Sequence, residues 1–506
     1  MKINLTQKIV TTLLALIISS ASLSATDYTT TVTTTSAGNT VTLQNGDTIN
    51  TDGVRSIQST NGGTVTVQNP STDSIIVTTA GAVHSVYSNA STVNLGTGSK
   101  IYATEFGAAN ILAGSTLIAD NLTVEAGSAT HFIDNAHTFT VTDSSINLGS
   151  NSSVTAYLSG LRTVMNINNT TFTTTDNFTL KGYGSDDTAG LLMSNSIVNL
   201  GTNANIEAGR ATVVNNTSLT AENATFRGTG TTYGYAMTVQ RDSIVNLTNS
   251  NLIADTDAIR VGTTASGGGT SEVNIIGGTV QAENRVVAQL AANASVYASG
   301  AVINFMDGAK ANSKAGVLFD NSGIDPIHEA NPAFASIVEI NISGSTTEVA
   351  GRITDVRDSS TTTLKVSDSA KWTSTGASNV DNLILDNANL EFNMTSINDS
   401  IVTGNLTLEG SSNALIGFTN DFLEEVLASG LMDNLDASIV TSFLDGDGDI
   451  TYTFATSNDE GSTWDIVDYG DGTFDISNIN IIPEPSTYAL ILGVLTLGLA
   501  IYRRRK

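Results

Sequence analysis

The sequence predicts an all-β chain wound as a right-handed parallel β-helix, and three observations carry that prediction. A motif of aliphatic-Asn-aliphatic recurs along the body, and within each copy the side chains alternate with a period of two. Gly, Asn and Ser break the strands at about every eight residues, three strands to a coil. The chain has 506 residues, no cysteine, 45 glycines and 5 prolines, so its core must hold by packing without disulfide staples.

Residues 1–25 are expected to be a secretory signal peptide. Lys2 and Lys8 form a positive start, Ile9 to Ile18 is an apolar run, and small residues follow at Ser22, Ser24 and Ala25. The alternative, an N-terminal anchor, needs an apolar run of ~20 residues, about twice what is present.

Residues 26–412 are expected to form the β-helix. The motif reads Val93-Asn94-Leu95, Ile146-Asn147-Leu148, Val198-Asn199-Leu200, Val245-Asn246-Leu247, Val273-Asn274-Ile275, Ile303-Asn304-Phe305 and Ile340-Asn341-Ile342, at intervals of 53, 52, 47, 28, 30 and 37 residues. One coil of roughly 25 to 30 residues accounts for the short intervals, and two coils for the long ones. A second coil type is duplicated: Ile167-Asn168-Asn169-Thr170 with Leu180-Lys181-Gly182-Tyr183 is echoed by Val214-Asn215-Asn216-Thr217 with Phe226-Arg227-Gly228. Aliphatic side chains fill the bore and Asn faces outward, giving about 15 coils and a rod on the order of 70 Å. A β-sandwich does not explain an alignable coil.

Near the end of the rod the text changes to Ala370-Lys371-Trp372-Thr373-Ser374-Thr375-Gly376, then Ser378 to Phe392 with two Leu/Ile-rich strands around Asp386-Asn387. That phrase resembles the C-terminal coils of autotransporter passenger domains of the pertactin-like kind, which implies a β-helical passenger used in adhesion or surface structure. Only about 68 residues separate Asn413 from the C-terminal segment, too few for the membrane barrel of that family, so self-translocation is not implied. Residues 413–480 are expected to be a small α+β cap, with an amphipathic helix over Asp421 to Leu435 and strands after it, closing the open end of the solenoid.

Residues 481–506 are expected to be a sorting and anchor segment with a single transmembrane helix. Pro483-Glu484-Pro485 is followed by sixteen mostly apolar residues from Thr487 to Tyr502, then Arg503, Arg504, Arg505 and Lys506. Tyr488 and Tyr502 would mark the ends of a helix about 24 Å long, with the basic tail cytoplasmic. This order resembles the PEP-CTERM sorting domain of Gram-negative bacteria. The resemblance implies transient anchoring in the inner membrane, processing by exosortase, and release to the cell surface or an exopolysaccharide matrix. A plain tail anchor is the alternative.

Charge narrows the partners. Lys+Arg number 21 against 48 Asp+Glu, a net charge of −27. Without both terminal segments 15 basic and 47 acidic groups remain, net −32, which repels phosphate backbones and argues against nucleic acid.

The candidate sites are few. Asp445, Asp447 and Asp449 mimic the start of a calcium loop, but Ile450 and Thr456 stand where that loop needs glycine and a bidentate glutamate, so weak calcium binding competes with an acidic turn. The histidines, His84, His131, His137 and His328, form no zinc motif and no cofactor is expected. Two glycine-rich stretches are candidate ligand loops: Lys181 and Tyr183 with Asp186 and Asp187, and Arg227 with Tyr233 and Tyr235. Glycine lets the chain leave the coil, and tyrosine offers a flat face to a sugar. No nucleophile elbow or phosphate loop is present. The expected function is therefore an exported, non-enzymatic surface or matrix protein, with a polysaccharide lyase or glycoside hydrolase on the same fold as the alternative.

Overall fold

The computed structural model describes residues 25–481 apart from 82, 134–136, 161, 185–187, 263–268, 291–299, 322–336, 356–359, 395, 397, 419–421, 423–424, 426–428, 430–434, 437–438, 447–448, 457–461 and 469–472. Residues 1–24 of the expected signal peptide, residues 482–506 of the expected sorting segment, Asp186, Asp187, Asp447 and His328 thus lie outside the described residues. No described helix is long and apolar enough to cross a membrane. Among the described residues the chain is an all-β parallel solenoid of about 13 turns, the strand count of the smallest of its three large parallel sheets, against the 15 or so expected; the other two sheets run on to 16 and 17 strands. It divides into two units, residues 1–260 with 269–273, and 261–268 with 274–506.

In the first unit each coil lays down one strand in each of three parallel sheets, here A, B and C. Sheet A shows the period of two most plainly. Val124, Val154, Leu180, Ile206, Phe226 and Leu252 are paired in register and wholly buried. The residues one further on, Glu125, Thr155, Lys181, Glu207, Arg227 and Ile253, form the outward column. The long motif intervals do hold two coils: Ile118 pairs between Asn94 and Asn147, Thr173 between Asn147 and Asn199, and Thr220 between Asn199 and Asn246.

The corners explain the asparagine content. Between sheets C and A the chain turns on Asn121, Asn151, Asn177, Asn203, Asn223 and Asn249, all left-handed with φ of 48–58°. Among residues with a Cβ, Asn and Asp reach that region most readily. Between B and C the turn residues include Asp143, Asn169, Asn195 and Asn216, again at φ of 47–50°, while Ala90, Ala113 and Arg241 hold the same region in other coils at φ of 50–55°. A Ser or Thr follows and satisfies the backbone that the turn exposes. The Ser196 hydroxyl accepts from the Thr170 amide at 3.1 Å and donates to the Ser194 carbonyl at 2.6 Å. Thr217 does the same for Ser196 and Asn215, at 3.2 and 2.9 Å. The repeated Asn-Asn-Thr text is therefore the corner itself.

The second unit has the same three sheets at its start. Its sheet C carries an outward amide ladder, Asn304 donating to Asn274 at 2.6 Å and Asn341 to Asn304 at 2.9 Å. The latter step spans 37 residues, the coil that contains Pro326 and Pro332. Sheet B ends with Arg352–Thr354, after which strands of up to nine residues, Ser378–Asp386 and Ile401–Glu409, replace separate B and C strands. The change of text noted at Trp372 is this change of cross-section. Trp372 is buried in the bore, with Nε1 donating to the Gly351 carbonyl at 3.0 Å.

The parallel ladders run on past residue 412. Ser411–Phe418 pairs with Asn389–Met394, Asp449–Thr456 pairs with Ser411–Phe418, and Ile439–Gly446 extends sheet C. A small antiparallel sheet of Leu435–Asp436, Ser462–Asp468 and Thr473–Ile481 follows. Of the stretch expected to be a helix, the described Phe422, Glu425 and Ser429 are helical, and Phe422 stacks on Phe418 at 5.0 Å.

Candidate functional site

The two expected ligand loops are in large part strands. Lys181 and Tyr183 belong to Thr179–Tyr183, and Arg227 to Thr225–Gly228, both in sheet A of the first unit. Gly182 does not release the chain from the coil. It points inward, where a Cβ would meet Val164 Cγ2 at 2.7 Å, so its role is to make room in the bore. The alternation of Lys181 out, Gly182 in and Tyr183 out obeys the strand period.

Strand pairing brings the two stretches onto one face. Lys181 is in register with Glu207, and Glu207 with Arg227, so two cations flank one carboxylate on adjacent coils. Tyr183 pairs with Tyr157, their rings stacked at 4.9 Å and 19°, and Phe132 meets Tyr157 edge-on at 6.0 Å. Tyr233, in the connection after Arg227, is exposed and sits edge-to-face with Tyr235 at 6.2 Å. Tyr235 is buried, its ring under Arg260 and its hydroxyl accepting from Arg260 Nη1 at 2.9 Å, so it braces the connection from within. Tyr157, Glu207 and Phe132 were not singled out in the sequence. The 26-residue step from Tyr157 to Tyr183, equal to that from Asn151 to Asn177, was the signal that could have found the first of them.

Two further surfaces follow the coil repeat. In the first unit a groove of about 420 Å³ runs along the B to C corner, lined by Asp143, Asn169, Asn195, Thr170 and Ile197. Asn169 donates to Asp143 at 2.6 Å and Asn216 to Asn195 at 2.8 Å along it. In the second unit Lys310, Glu348 and Lys371 stand in register on sheet A beside a groove of about 210 Å³. Lys310 pairs with Glu348 at 3.3 Å, and Lys371 with Glu391. Such exposed pairs order a face more than they stabilise it.

The titrating groups that depart from their ordinary values lie elsewhere. Burial, with Arg55 and His137 nearby, pushes the His84 imidazole down to about 4, and Phe106 meets its ring edge-on at 4.9 Å. His137 is lowered too, by burial and then Arg162. In the second unit burial raises the Asp381 carboxyl. The Thr362 amide, donating to its Oδ2 at 2.7 Å, opposes this, while neighbouring Asp355, which shares a hydrogen bond with Asp381, adds to it. Asn321 in turn donates to Asp355.

Of the expected calcium ligands, Asp445 lies in Ile439–Gly446 and Asp449 opens the next strand, where its carboxylate accepts from the Ser411 hydroxyl at 2.9 Å. Asp447 lies between them, outside the described residues. Among the described residues no three His, Asp or Glu side chains gather as a metal site.

No protein-family model matches the chain, and no curated protein does. Among solved structures it is similar to the crystal structure of the autotransporter UpaB from E. coli strain CFT073, at 14% identity over 90% of this chain and 94% of that one, with a TM-score of 0.25. At that identity and score the likeness carries no functional argument. The PEP-CTERM resemblance has no counterpart among these matches.

Proposed function

We propose that this chain is an exported surface or extracellular-matrix protein whose β-solenoid serves as a structural and adhesive scaffold associated with exopolysaccharide. In this reading residues 1–25 direct export and Pro483-Glu484-Pro485 with the following apolar run and Arg503 to Lys506 address the chain to exosortase. The observation that carries it is the outward face of the coils. Amide side chains recur there in register, as in Asn151, Asn177 and Asn203 or Asn304 and Asn341, and present the same hydrogen-bonding groups from one coil to the next. A repeating polar lattice of this kind suits a repeating, hydroxyl-rich polymer. The scaffold needs no catalytic group and none is assigned.

The test of the sorting step is replacement of Pro483, Glu484 and Pro485 by alanine in the native host. Full-length chain should then accumulate in the inner membrane, and unchanged processing would refute the exosortase address. For the scaffold itself, secreted chain should co-fractionate with exopolysaccharide and leave that fraction when the polysaccharide is digested.

A polysaccharide-active enzyme is the second reading, and the Asp355–Asp381 pair is what favours it, since a carboxyl whose hold on its proton is strengthened by burial and by a second acid beside it is placed as a general acid would be. Reducing-end release from exopolysaccharide that disappears in Asp381→Asn would support it; no release by the unaltered chain would dismiss it.

A further inference from the structure

Successive coils of the first unit pass from sheet A to sheet B by connections of unequal length. Thr179–Tyr183 reaches Ala189–Ser194 through residues 184–188, and Thr225–Gly228 reaches Met237–Gln240 through residues 229–236. The coil between them turns from Asn205–Ala208 into Arg210–Asn215 on Gly209 alone. With coils ~4.8 Å apart, the strands carrying the two longer connections stand about 10 Å from each other across that short corner.

The aromatic ladder stops at the same place. Tyr183 covers Tyr157 on one side, and Phe132 closes the far side of Tyr157. On the other side of Tyr183 the next coil carries Gly209, two residues beyond Glu207, so the ladder supplies no third ring there. Tyr183 keeps 42% of its surface exposed, and Tyr233, on the connection beyond the short corner, keeps 39%. Beside the missing rung stand Lys181, Glu207 and Arg227 in register.

We infer that this step in the surface is a carbohydrate subsite: a neutral pyranose unit of a polysaccharide occupies the place of the missing rung, its C–H face against Tyr183 and its hydroxyls on Lys181, Glu207 and Arg227. The inference rests on the polysaccharide reading above and narrows it to one place and one sugar class. Three considerations select this occupant. A coil step is close to the length of one pyranose ring, and an aromatic face is the apolar partner that a sugar ring needs. Side chains of both signs suit hydroxyls, which donate and accept, whereas a polyanion meets a chain of net charge −27. A partner protein is a poor fit, because partly exposed rings of 150–250 Å² each fall well short of the roughly 800 Å² that a stable interface takes from each side.

The test is native affinity electrophoresis of the full chain in gels containing hydroxyethylcellulose, galactomannan or dextran, with alginate as the polyanion. The unaltered chain should be retarded by at least one neutral polymer and not by alginate. Tyr183→Ala, which removes the stacking face, and Gly209→Tyr, which fills the gap with a third ring, should each weaken that retardation about tenfold or more, and Tyr183→Phe should keep it. Two variants that act by opposite means guard against loss by misfolding, which circular dichroism checks. Retardation unchanged in both variants overturns the subsite while leaving the polysaccharide reading intact. No retardation by any of the four polymers overturns both. Retardation by alginate alone overturns the neutral class, and a concentration-dependent dimer abolished by Tyr183→Ala in sedimentation velocity overturns the sugar in favour of a second copy of the chain.

Discussion

The side-chain amide of Asn203 donates to Oδ1 of Asn177 at 3.2 Å, 26 residues back along the chain, and both residues hold left-handed backbones with φ of 58° and 53°. Asn177 repeats the contact with Asn151 at 2.9 Å. One residue type thus meets two demands of a tight corner: it tolerates the left-handed conformation, and it binds its counterpart in the neighbouring coil.

Replacing Asn177 separates those demands. Asn177→Ala should cost about 2 kcal/mol, the left-handed penalty of ~1–2 kcal/mol together with a small loss from two solvent-exposed amide contacts. Asn177→Gly loses only the contacts and should cost less than half as much. Urea unfolding of both variants checks this, and equal losses would show that backbone conformation is not what asparagine supplies.

Trp372 fills the bore of the second unit where the coil changes shape. Trp372→Ala should cost about 3–5 kcal/mol through the cavity left behind. Trp372→Phe keeps much of the volume but leaves the Gly351 carbonyl without its donor, at about 1–3 kcal/mol. Chemical denaturation should rank them in that order.

Acid should weaken the first unit through His84. Its folded-state value of about 4 lies below the ordinary 6.5, so the unfolded chain takes up the proton first. The stability it contributes is complete above pH ~6.5 and is lost as pH falls toward 4. His137 is displaced in the same direction and adds to the loss. His84→Phe, which keeps the ring contact with Phe106, should flatten the fall in Tm between pH 7 and 4.5; an unchanged pH profile would acquit the residue.

Asp381 works with the opposite sign. Its carboxyl is raised in the fold, so the folded chain holds the proton more tightly, and stability is lost as pH rises from the unfolded value through the folded one. Asp381→Asn removes the ionisable group from this half-buried place, keeps an acceptor for the Thr362 amide and offers Asp355 a donor. The variant should melt higher than the parent at pH 7 and no higher at pH 3.5. A lower Tm at pH 7 would mean that the carboxylate is needed in its charged form.

Much of the fold was legible because a solenoid writes its structure into the text one coil at a time. Val124, Val154, Leu180 and Ile206 could be read as one buried column since every second residue faces the bore and every coil repeats. The Asn-Asn-Thr phrase was legible as a repeat, but its meaning as a left-handed corner with a hydroxyl brace needed the backbone. Coil length was less legible. A coil can expand at its connections without breaking its ladders, as between Asn304 and Asn341, and the last coils lose the strand of one sheet, so a mean length could not say how many turns carry all three.

The candidate site was legible only as residue types. Lys181, Tyr183, Arg227 and Tyr233 could be picked out by their glycine-rich surroundings and their chemistry, yet reading the first three as loop residues mistook bore-facing glycines for points of departure. Glu207 and Tyr157 entered only through pairing, since they lie 26 residues from Lys181 and Tyr183 in sequence and one strand spacing away in space.

The sequence by itself determined the architecture of the repeat, because an alternating apolar face with turn residues at fixed intervals has one way to bury itself, which is to stack coil on coil. Tertiary structure alone decided which side chains share a face, where the connections shorten to Gly209, and that Asp355 and Asp381 meet. Those relations depend on the register and length of each coil, and one residue gained or lost at a corner moves every neighbour across it.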